Sequence, residues 1–413
     1  MGGRVVELVV SYWEGWNAAS RGMSGRLTKA TARQRDAAGE QYTVLIELSD
    51  VPRVVIDVAW NYHYCALWEL DEVLRRRAKY VYRRLTDDQV FLSRTAEWLY
   101  TDTAQPEFDA HAGTRTVETE TNGLTRVSVA PEGDGGGRSE MMQTEPVEQY
   151  WRPVPALGDW RELFTGNLER LRSAALIERP DPDAPGDALP VEQRPWHPPQ
   201  PLRPARPDLL FEPGTSYDIE RFGPATVEVV AAGRLRMPTG RLVAADPGWL
   251  QSSIDDSGTQ AFTAQVAPGE YPVSLSAIRF NANPGHVRVA AAKLTVRTGP
   301  VASWEPALCP GQDPRSLEEK EFFGFGVDSG TGCFVDAAAL AAIGRLSDDV
   351  VESLFPGIGG SRMAELGPEA NLITFSSGFG DGAYPTWIGR TEDGHVACFI
   401  ADMLVVGDAS AIT

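Results

Sequence analysis

The chain has 413 residues, and its 57 aspartates and glutamates against 38 lysines and arginines give a formal net charge of −19 at pH 7. This acidity argues against general nucleic-acid binding and against binding to anionic membranes, because both need a positive surface. No window approaches the roughly 18 consecutive apolar residues of a membrane span, and the first residues lack the basic start and cleavage site of a signal peptide. We therefore expect a cytoplasmic protein. The negative net charge is compatible with a basic partner.

Residues 1–179 predict a domain of mixed α and β structure. The β-branched runs 42–49 and 53–60 predict two neighbouring strands. A helix is predicted over about 66–85, because apolar residues recur there at spacings of three and four. That stripe consists of Leu67, Leu70, Leu74, Ala78 and Val81. Its basic side holds Arg75 to Arg77, Arg83 and Arg84, which we interpret as a solvated face that pairs with the protein's own carboxylates.

Three more local signals precede residue 180. Thr86 and Gln89 form a capping-box pattern, which predicts that a second helix begins there. Asn122 and Gly123 lie between alternating segments and predict a β-hairpin. The segment 160–176 reads as a further helix.

The clearest boundary is the run 180–207, where ten of 28 positions are proline. So many prolines exclude a helix or a central strand, and we interpret the run as a linker with Trp196 available to pack it across a surface. The length of the chain also favours two domains over one core. Residues 208–413 carry 13 basic and 26 acidic residues, which is −13 of the total −19.

Residues 208–413 predict a mainly β domain, with a sandwich or barrel-like sheet and one or two helices. Short apolar runs alternate with turn signals throughout this part, and the alanine-rich segment 336–346 predicts a helix. The predicted fold class of the whole chain is therefore α+β, with a proline-rich linker between the two parts.

Two loops in this part combine an acid with several glycines. They lie in the segments 324–336 and 375–385, and their leading residues are Asp328 and Asp381. Glycine leaves backbone N–H groups uncovered, and a carboxylate offers a hard metal ligand or a proton acceptor. The simpler alternative is that each aspartate only caps its own turn.

The candidate site extends from these two aspartates to their neighbours. The predicted binding residues are Gly330, Thr331, Gly332, Ser376, Ser377, Gly380, Gly382 and Tyr384. Asp336 and Asp402 are weaker additions, and Asp336 also stands where it would cap the alanine-rich helix. Asp246 precedes a proline and a glycine, and we interpret it as the end of a strand in a turn. The cysteines Cys65, Cys309, Cys333 and Cys398 have no metal or disulfide spacing and are expected to be small buried residues.

The C-terminal half resembles an uncharacterised bacterial family, the domain of unknown function four-two-four-one. The segments that carry the resemblance are 240–247, 266–276, 288–296, 304–308, 326–336 and 376–389. It covers roughly residues 210–406, and Phe379 departs from it because the family usually has tryptophan there. The resemblance implies that the two loops belong to one set of motifs, and it implies no activity. Members resemble accessory proteins found beside bacterial toxins.

Two functions of different classes follow. The first is an acidic binding protein, most concretely an immunity-type inhibitor of a bacterial toxin or of another basic partner, whose association would be fast and sensitive to salt. The alternative is a metal-assisted hydrolase that uses Asp328 and Asp381, with a divalent metal as its cofactor and the amides of Gly330, Gly332, Gly380 and Gly382 stabilising negative charge. We favour the binding protein, because the absence of histidine and cysteine ligands removes most known metal and nucleophile chemistries, although sites built from acids alone are still allowed.

Overall fold

The computed structural model describes residues 7–133, 137–183, 189–204, 206–251, 260–407 and 411–412. Strands account for 46% of the structure and helical segments for 13%, so the protein is mainly β. Contacts divide the chain into a first unit, Met1–Gln200 with Arg315–Glu318, and a second unit, Pro201–Pro314 with Glu319–Thr413. The assignment of 1–179 and 208–413 as domains joined by a linker stays a prediction, and residues 184–188 and 205 of that linker lie outside the described residues.

Within its described residues, the first unit is built around one large curled sheet. The strands are Glu7–Asn17 (β1), Gly22–Leu27 (β2), Tyr42–Leu48 (β3), Val51–Ala59 (β4), Tyr64–Leu70 (β5), Arg76–Arg84 (β6), Gln89–Leu99 (β7), Gly113–Thr119 (β8), Leu124–Ala130 (β9), Ser139–Thr144 (β10), Trp151–Pro153 (β11) and Ala175–Glu178 (β12). Their order is β10-β9-β8-β7-β6-β5-β4-β3-β1-β12, with β11 on β7 and β2 on β1. Neighbours are antiparallel except β1 and β12.

One face of this sheet is covered by a helix and by short helical turns. Helix α1 spans Lys29–Ala38, begins at the cap Thr28 and ends at Gly39, whose φ of 72° suits glycine. The 3₁₀ turns of the unit are Trp60–Tyr62, Glu148–Tyr150, Arg161–Leu163, Gly166–Leu171 and Val191–Gln193. Trp160 and Phe164 are fully buried in the same core as the inward residues of β3 to β6.

The predicted helix over 66–85 is wrong, because these residues form β5, a turn and β6. Both faces of the sheet are covered here, so residues that point to either face can be apolar. Apolar residues are then frequent enough that some of them recur at spacings of three and four, although the chain is extended. The turn is fixed by Asp71, whose Oδ1 accepts the backbone N–H groups of Val73 (3.0 Å) and Arg75 (2.8 Å). An aspartate that caps its own turn is the sequence signal that separates the two strands.

The other predicted helices of the first unit are also wrong. Thr86 Oγ1 does accept the N–H of Gln89 at 3.0 Å, but the chain continues as β7. The segment 160–176 breaks into two 3₁₀ turns because Thr165 is extended and Gly166 has a φ of 56°. The first unit is therefore mainly β, with α1 as the one α-helix among its described residues, and not the balanced mixture of α and β that was predicted.

Other predictions for this unit are confirmed. The runs at 42–49 and 53–60 are the antiparallel neighbours β3 and β4, and Asn122 and Gly123 lie in the turn of the β8–β9 hairpin. The prediction for the arginines is confirmed only for their pairing: Arg75 pairs with Asp71, Arg76 with Glu107, Arg77 with Glu69 and Arg83 with Glu318. The predicted solvated face is wrong, because these residues lie at strands and Arg75 and Arg83 are buried.

The second unit contains two further sheets. The strands are Ser216–Ile219 (β13), Gly223–Met237 (β14), Leu242–Ala245 (β15), Gly269–Phe280 (β16), Val287–Thr295 (β17), Ser303–Pro306 (β18), Gly324–Val327 (β19), Thr331–Asp336 (β20), Ser361–Glu365 (β21), Asn371–Ser376 (β22), Gly382–Arg390 (β23), Val396–Asp402 (β24) and Ala411–Ile412 (β25). One sheet has the order β18-β23-β24-β17-β16-β14-β13-β25 with β19 on β23, and the other has the order β15-β20-β22-β21.

The two sheets share an apolar core, in which Phe334 and Phe375 of the smaller sheet pack in one cluster with Leu235 and Leu275 of the larger. The described helices are Leu340–Ile343 (α2) and Asp348–Glu352 (α3), with 3₁₀ turns at Pro207–Phe211, Trp249–Gln251, Pro314–Ser316 and Ala337–Ala339. The predicted mainly β character of this part is confirmed, and the predicted helix over 336–346 is shorter than expected. Within the described part of the chain, no helix is long and apolar enough to cross a membrane.

Candidate functional site

The two acid–glycine loops lie side by side in the second unit. The first loop, 328–330, connects β19 to β20, and the second loop, 377–381, connects β22 to β23. The N–H of Gly330 donates to Asp381 Oδ1 at 3.1 Å, and the N–H of Ser377 donates to the carbonyl of Gly330 at 3.0 Å. Loops that are about 50 residues apart in sequence therefore form one structural element.

A third acid, Asp246, holds the first loop in place. Its carboxylate is 1% exposed and accepts hydrogen bonds from the N–H groups of Gly248, Asp328 and Ser329, each at 2.8 Å, and from Ser329 Oγ at 2.9 Å. The interpretation of Asp246 as the acid of a turn after β15 is confirmed, but Asp246 also binds a second loop that the sequence did not connect to it. A carboxylate has about four acceptor positions, and four donors of the chain occupy them here, so Asp246 is a structural anchor.

The two leading aspartates are both exposed. Asp381 accepts the Gly330 N–H, and the backbone N–H of Asp328 is bound by Asp246. No group of three or more His, Cys, Asp or Glu side chains able to hold a metal occurs among the residues that the structure describes, which include both loops. The shared metal and the hydrolytic role of Asp328 and Asp381 stay predictions.

The polar groups of the second loop bond mainly to the loop itself. Ser377 Oγ donates to the carbonyl of Gly380 at 2.8 Å, and the hydroxyl of Tyr384 donates to the carbonyls of Gly380 (2.6 Å) and Ser377 (3.1 Å). The N–H of Gly380 donates to Ser377 O at 2.9 Å. Gly330 and Gly380 thus already give their N–H groups to acceptors of the chain.

The remaining predicted binding residues belong to strands. Thr331 and Ser376 are paired neighbours on β20 and β22, and both are buried. Gly332 has a packing role, because a Cβ atom there would lie 2.7 Å from the Phe375 ring. Gly382 begins β23 and is exposed.

The two weaker acid candidates occupy different environments. Asp336 is fully buried, accepts the N–H of Ala338 at 2.9 Å and accepts Thr239 Oγ1 at 2.7 Å, so the predicted helix cap is confirmed. Asp402 ends β24 and accepts the N–H of Leu404 at 2.9 Å. Burial raises the pKa of Asp402 to about 6, from an ordinary value of 3.8.

Sequence reasoning missed an aromatic cluster beside the second loop. Phe379 is 50% exposed and stacks on Phe222, which is 37% exposed, with ring centroids 5.0 Å apart and an interplanar angle of 14°. Beneath them, the rings of Phe280 and His286 stack with centroids 4.4 Å apart, and the guanidinium of Arg288 lies 5.8 Å from the Phe379 centroid. The available signal was a bulky aromatic side chain in a loop otherwise built of small residues.

Comparison with known proteins gives one match, over the C-terminal part of the chain. No curated protein and no solved structure matches the sequence. The N-terminal half has no family match. Residues 235–401 match the family model described as "Protein of unknown function (DUF4241)", which confirms the resemblance found in the sequence.

Proposed function

We propose that the chain is a cytoplasmic binding protein, most concretely an immunity-type inhibitor that covers a basic bacterial toxin or another basic partner. The observation that carries this proposal is the exposed stacked pair of Phe222 and Phe379 on the second unit. Large aromatic side chains at the surface cost free energy in water, and they are the residues that most often anchor a protein interface.

Three exposed acids lie near this pair in sequence: Asp218 and Glu220 precede Phe222 within four residues, and Asp381 follows Phe379 by two. Two basic residues lie there as well, the exposed Arg221 and the half-buried Arg288, so the acids exceed them by one and the support for a basic partner comes mainly from the charge of the whole C-terminal part. An apolar anchor within a charged rim is the usual arrangement of a protein interface. The −13 net charge of residues 208–413 would add long-range attraction and speed the association.

The hydrogen bonds of the two loops give this surface a fixed shape. The bonds of Tyr384, Ser377 and Asp381 hold the backbone on both sides of Phe379. Gly378 has a φ of 60°, and a Cβ atom there would lie 2.8 Å from Val405 Cγ2, so the turn that presents Phe379 depends on glycine. A rigid anchor binds with less loss of conformational entropy than a mobile one.

Affinity capture with a matched control tests the proposal. The immobilised chain and its Phe379→Ser and Met363→Ser variants are exposed to the same bacterial lysate, at about 50 mM and about 500 mM salt. Met363 is 51% exposed, close to the 50% of Phe379, but it lies on β21. We expect a basic protein to be retained by the wild type and by Met363→Ser at low salt, and to be lost with Phe379→Ser and at high salt.

Two results would contradict the proposal. One is the same retained proteins for the wild type and Phe379→Ser. The other is retention that does not change with salt, because attraction between an acidic and a basic surface is screened as ionic strength rises.

If the capture instead retains a toxin, co-expression of the two proteins is the next test. The wild-type chain should restore the growth of cells that express the toxin, and the Phe379→Ser variant should not.

A further inference from the structure

The large sheet of the first unit ends at β10, which is an open edge strand. Within the described part of the chain, β10 pairs only with β9, in a regular antiparallel register from Ser139 opposite Val129 to Thr144 opposite Leu124. Edge strands usually carry lysine, proline or a bulge, which keep other strands from pairing with them. The sequence SEMMQT of β10 has neither residue, and its pairing has no bulge. This edge is therefore open to another strand.

A hydrogen bond beside β10 shows which of its backbone groups face the open edge. The N–H of Glu145, the residue after the strand, donates to the carbonyl of Gly123 on the β9 side at 2.8 Å. Backbone groups alternate in direction along an antiparallel strand, so the odd-numbered residues of β10 bond to β9. The N–H and C=O groups that point outward belong to Glu140, Met142 and Thr144.

The side chains of β10 offer apolar surface on both faces of the edge. Met141 is 55% exposed and Met142 is 46% exposed, and consecutive residues of a strand point to opposite faces. Methionine side chains are flexible and adapt easily to a partner. The one charged side chain of β10, Glu140, accepts a hydrogen bond from Ser128 Oγ of β9 at 3.1 Å, so its carboxylate lies toward β9 and not across the open edge.

We propose that β10 pairs antiparallel with β10 of a second copy of the chain and joins the two large sheets into one. In this dimer Met142 lies on the two-fold axis opposite its own copy, and Glu140 lies opposite Thr144. The outward groups of the two strands then form six backbone hydrogen bonds. A second copy suits this edge because the strand complements itself: methionine meets methionine, and a carboxylate meets a hydroxyl.

Charge and proline select this register over its neighbours. A dimer centred on Glu140 would place two carboxylates directly opposite each other, and one centred on Met141 would place them on a diagonal of about 7–8 Å. Registers centred on Gln143 or Thr144 would pair an outward residue with Pro146, which has no N–H to donate. The register centred on Met142 separates the two Glu140 residues by about 13 Å along the strands.

The size of the contact and the charge of the chain predict a weak dimer that salt strengthens. Each copy contributes a strand of 6 residues, whereas a standard interface uses about 20–30 residues a side. Each copy also carries a net charge of −19, so two copies repel each other at low ionic strength. The dimer should therefore tighten as salt rises, whereas the proposed binding of a basic partner should weaken.

Sedimentation velocity of the full chain at about 1–200 μM tests the proposal, at about 50 mM and about 500 mM salt. We expect the mass to rise with concentration from the 45.0 kDa of one chain toward twice that value, with a Kd of about 10–100 μM at the higher salt. Met142→Lys should weaken the dimer at least tenfold, because two ammonium groups would face each other. Its melting temperature should equal that of the wild type, because Met142 is exposed in the single chain.

Ile177→Lys is the matched control. Ile177 is 45% exposed and lies on β12, at the opposite end of the same sheet, so this variant should dimerise like the wild type. The proposal is overturned if the wild type stays monomeric at about 200 μM, if Met142→Lys dimerises like the wild type, or if Ile177→Lys loses the dimer as well.

Cysteine cross-linking tests the register. Opposite residues of a hydrogen-bonded antiparallel pair have Cα atoms about 5.5 Å apart, which is within the range of a disulfide. We expect Met142→Cys to form a linked dimer under mild oxidation faster than Met141→Cys, whose copy lies opposite Gln143 instead. The wild type, with its own four cysteines, gives the background. Faster linking of Met141→Cys would overturn the register centred on Met142.

Discussion

Asp246 and Asp57 are both buried carboxylates, and they differ in how far the protein satisfies them. Asp246 receives four hydrogen bonds from the chain, and Asp57 receives two and lines a cavity. Burying a carboxylate is tolerated when its acceptor positions are filled. Full satisfaction therefore marks Asp246 as a structural anchor, whereas Asp57 keeps unused acceptor capacity at the wall of a cavity.

The largest effect is expected at the fully satisfied acid. Asp246→Ala removes the acceptor of three N–H groups and one hydroxyl, and burial would leave them unpaired. We expect the free energy of unfolding of the second unit to fall by about 3–5 kcal/mol, measured by urea unfolding. Asp328→Ala, at an exposed neighbour, is the control and should change it by less than about 0.5 kcal/mol. If both substitutions lowered the free energy of unfolding by the same amount, the four hydrogen bonds would not distinguish Asp246 from an exposed acid.

An intermediate effect on stability is expected at Asp402, which accepts one backbone N–H, from Leu404, and whose pKa is raised by burial to about 6. The folded state therefore binds the protonated form of Asp402 more strongly than the unfolded state does. The resulting stabilisation of the folded state is complete below about pH 3.8 and is lost as the pH rises through about 6. The wild type should therefore lose about 2–3 kcal/mol relative to Asp402→Asn between pH 4 and pH 8. Parallel stability curves for the two proteins would show that burial does not penalise this carboxylate.

The sequence predicted the β-rich second unit well because its signals are local. Residues 371–376 and 382–390 are strands with a glycine-rich turn between them, and both features can be seen in consecutive residues. The helix predicted over 66–85 failed for a tertiary reason. Leu67 and Tyr80 face one core while Ala66 and Val81 face another, and a strand covered on both sides has no clean period of two.

The candidate site was predicted only in part. The two loops were identified from their glycines and acids, and they do meet, but the four-bond role of Asp246 depends on a contact across 83 residues to Ser329. No local pattern contains that contact. The cavity beside Asp57 could not be predicted for the same reason, since Trp16, Asp57 and Trp196 come together only after the sheet and the proline-rich segment have folded.

The smallest effect is expected at Asp381, an exposed acid that accepts one N–H from Gly330 at 3.1 Å. Asp381→Ala should lower the free energy of unfolding by about 0.5–1 kcal/mol, because water can replace a bond at the surface. This variant also separates the two functions considered for the loops. If Asp381 only caps the neighbouring loop, about 5 mM MnCl₂ should leave the melting temperature of the wild type and of the variant unchanged. A manganese-dependent rise in the wild type that is lost in both Asp381→Ala and Asp328→Ala would favour the hydrolase alternative, and the exposed carboxylates would then be the functional ones.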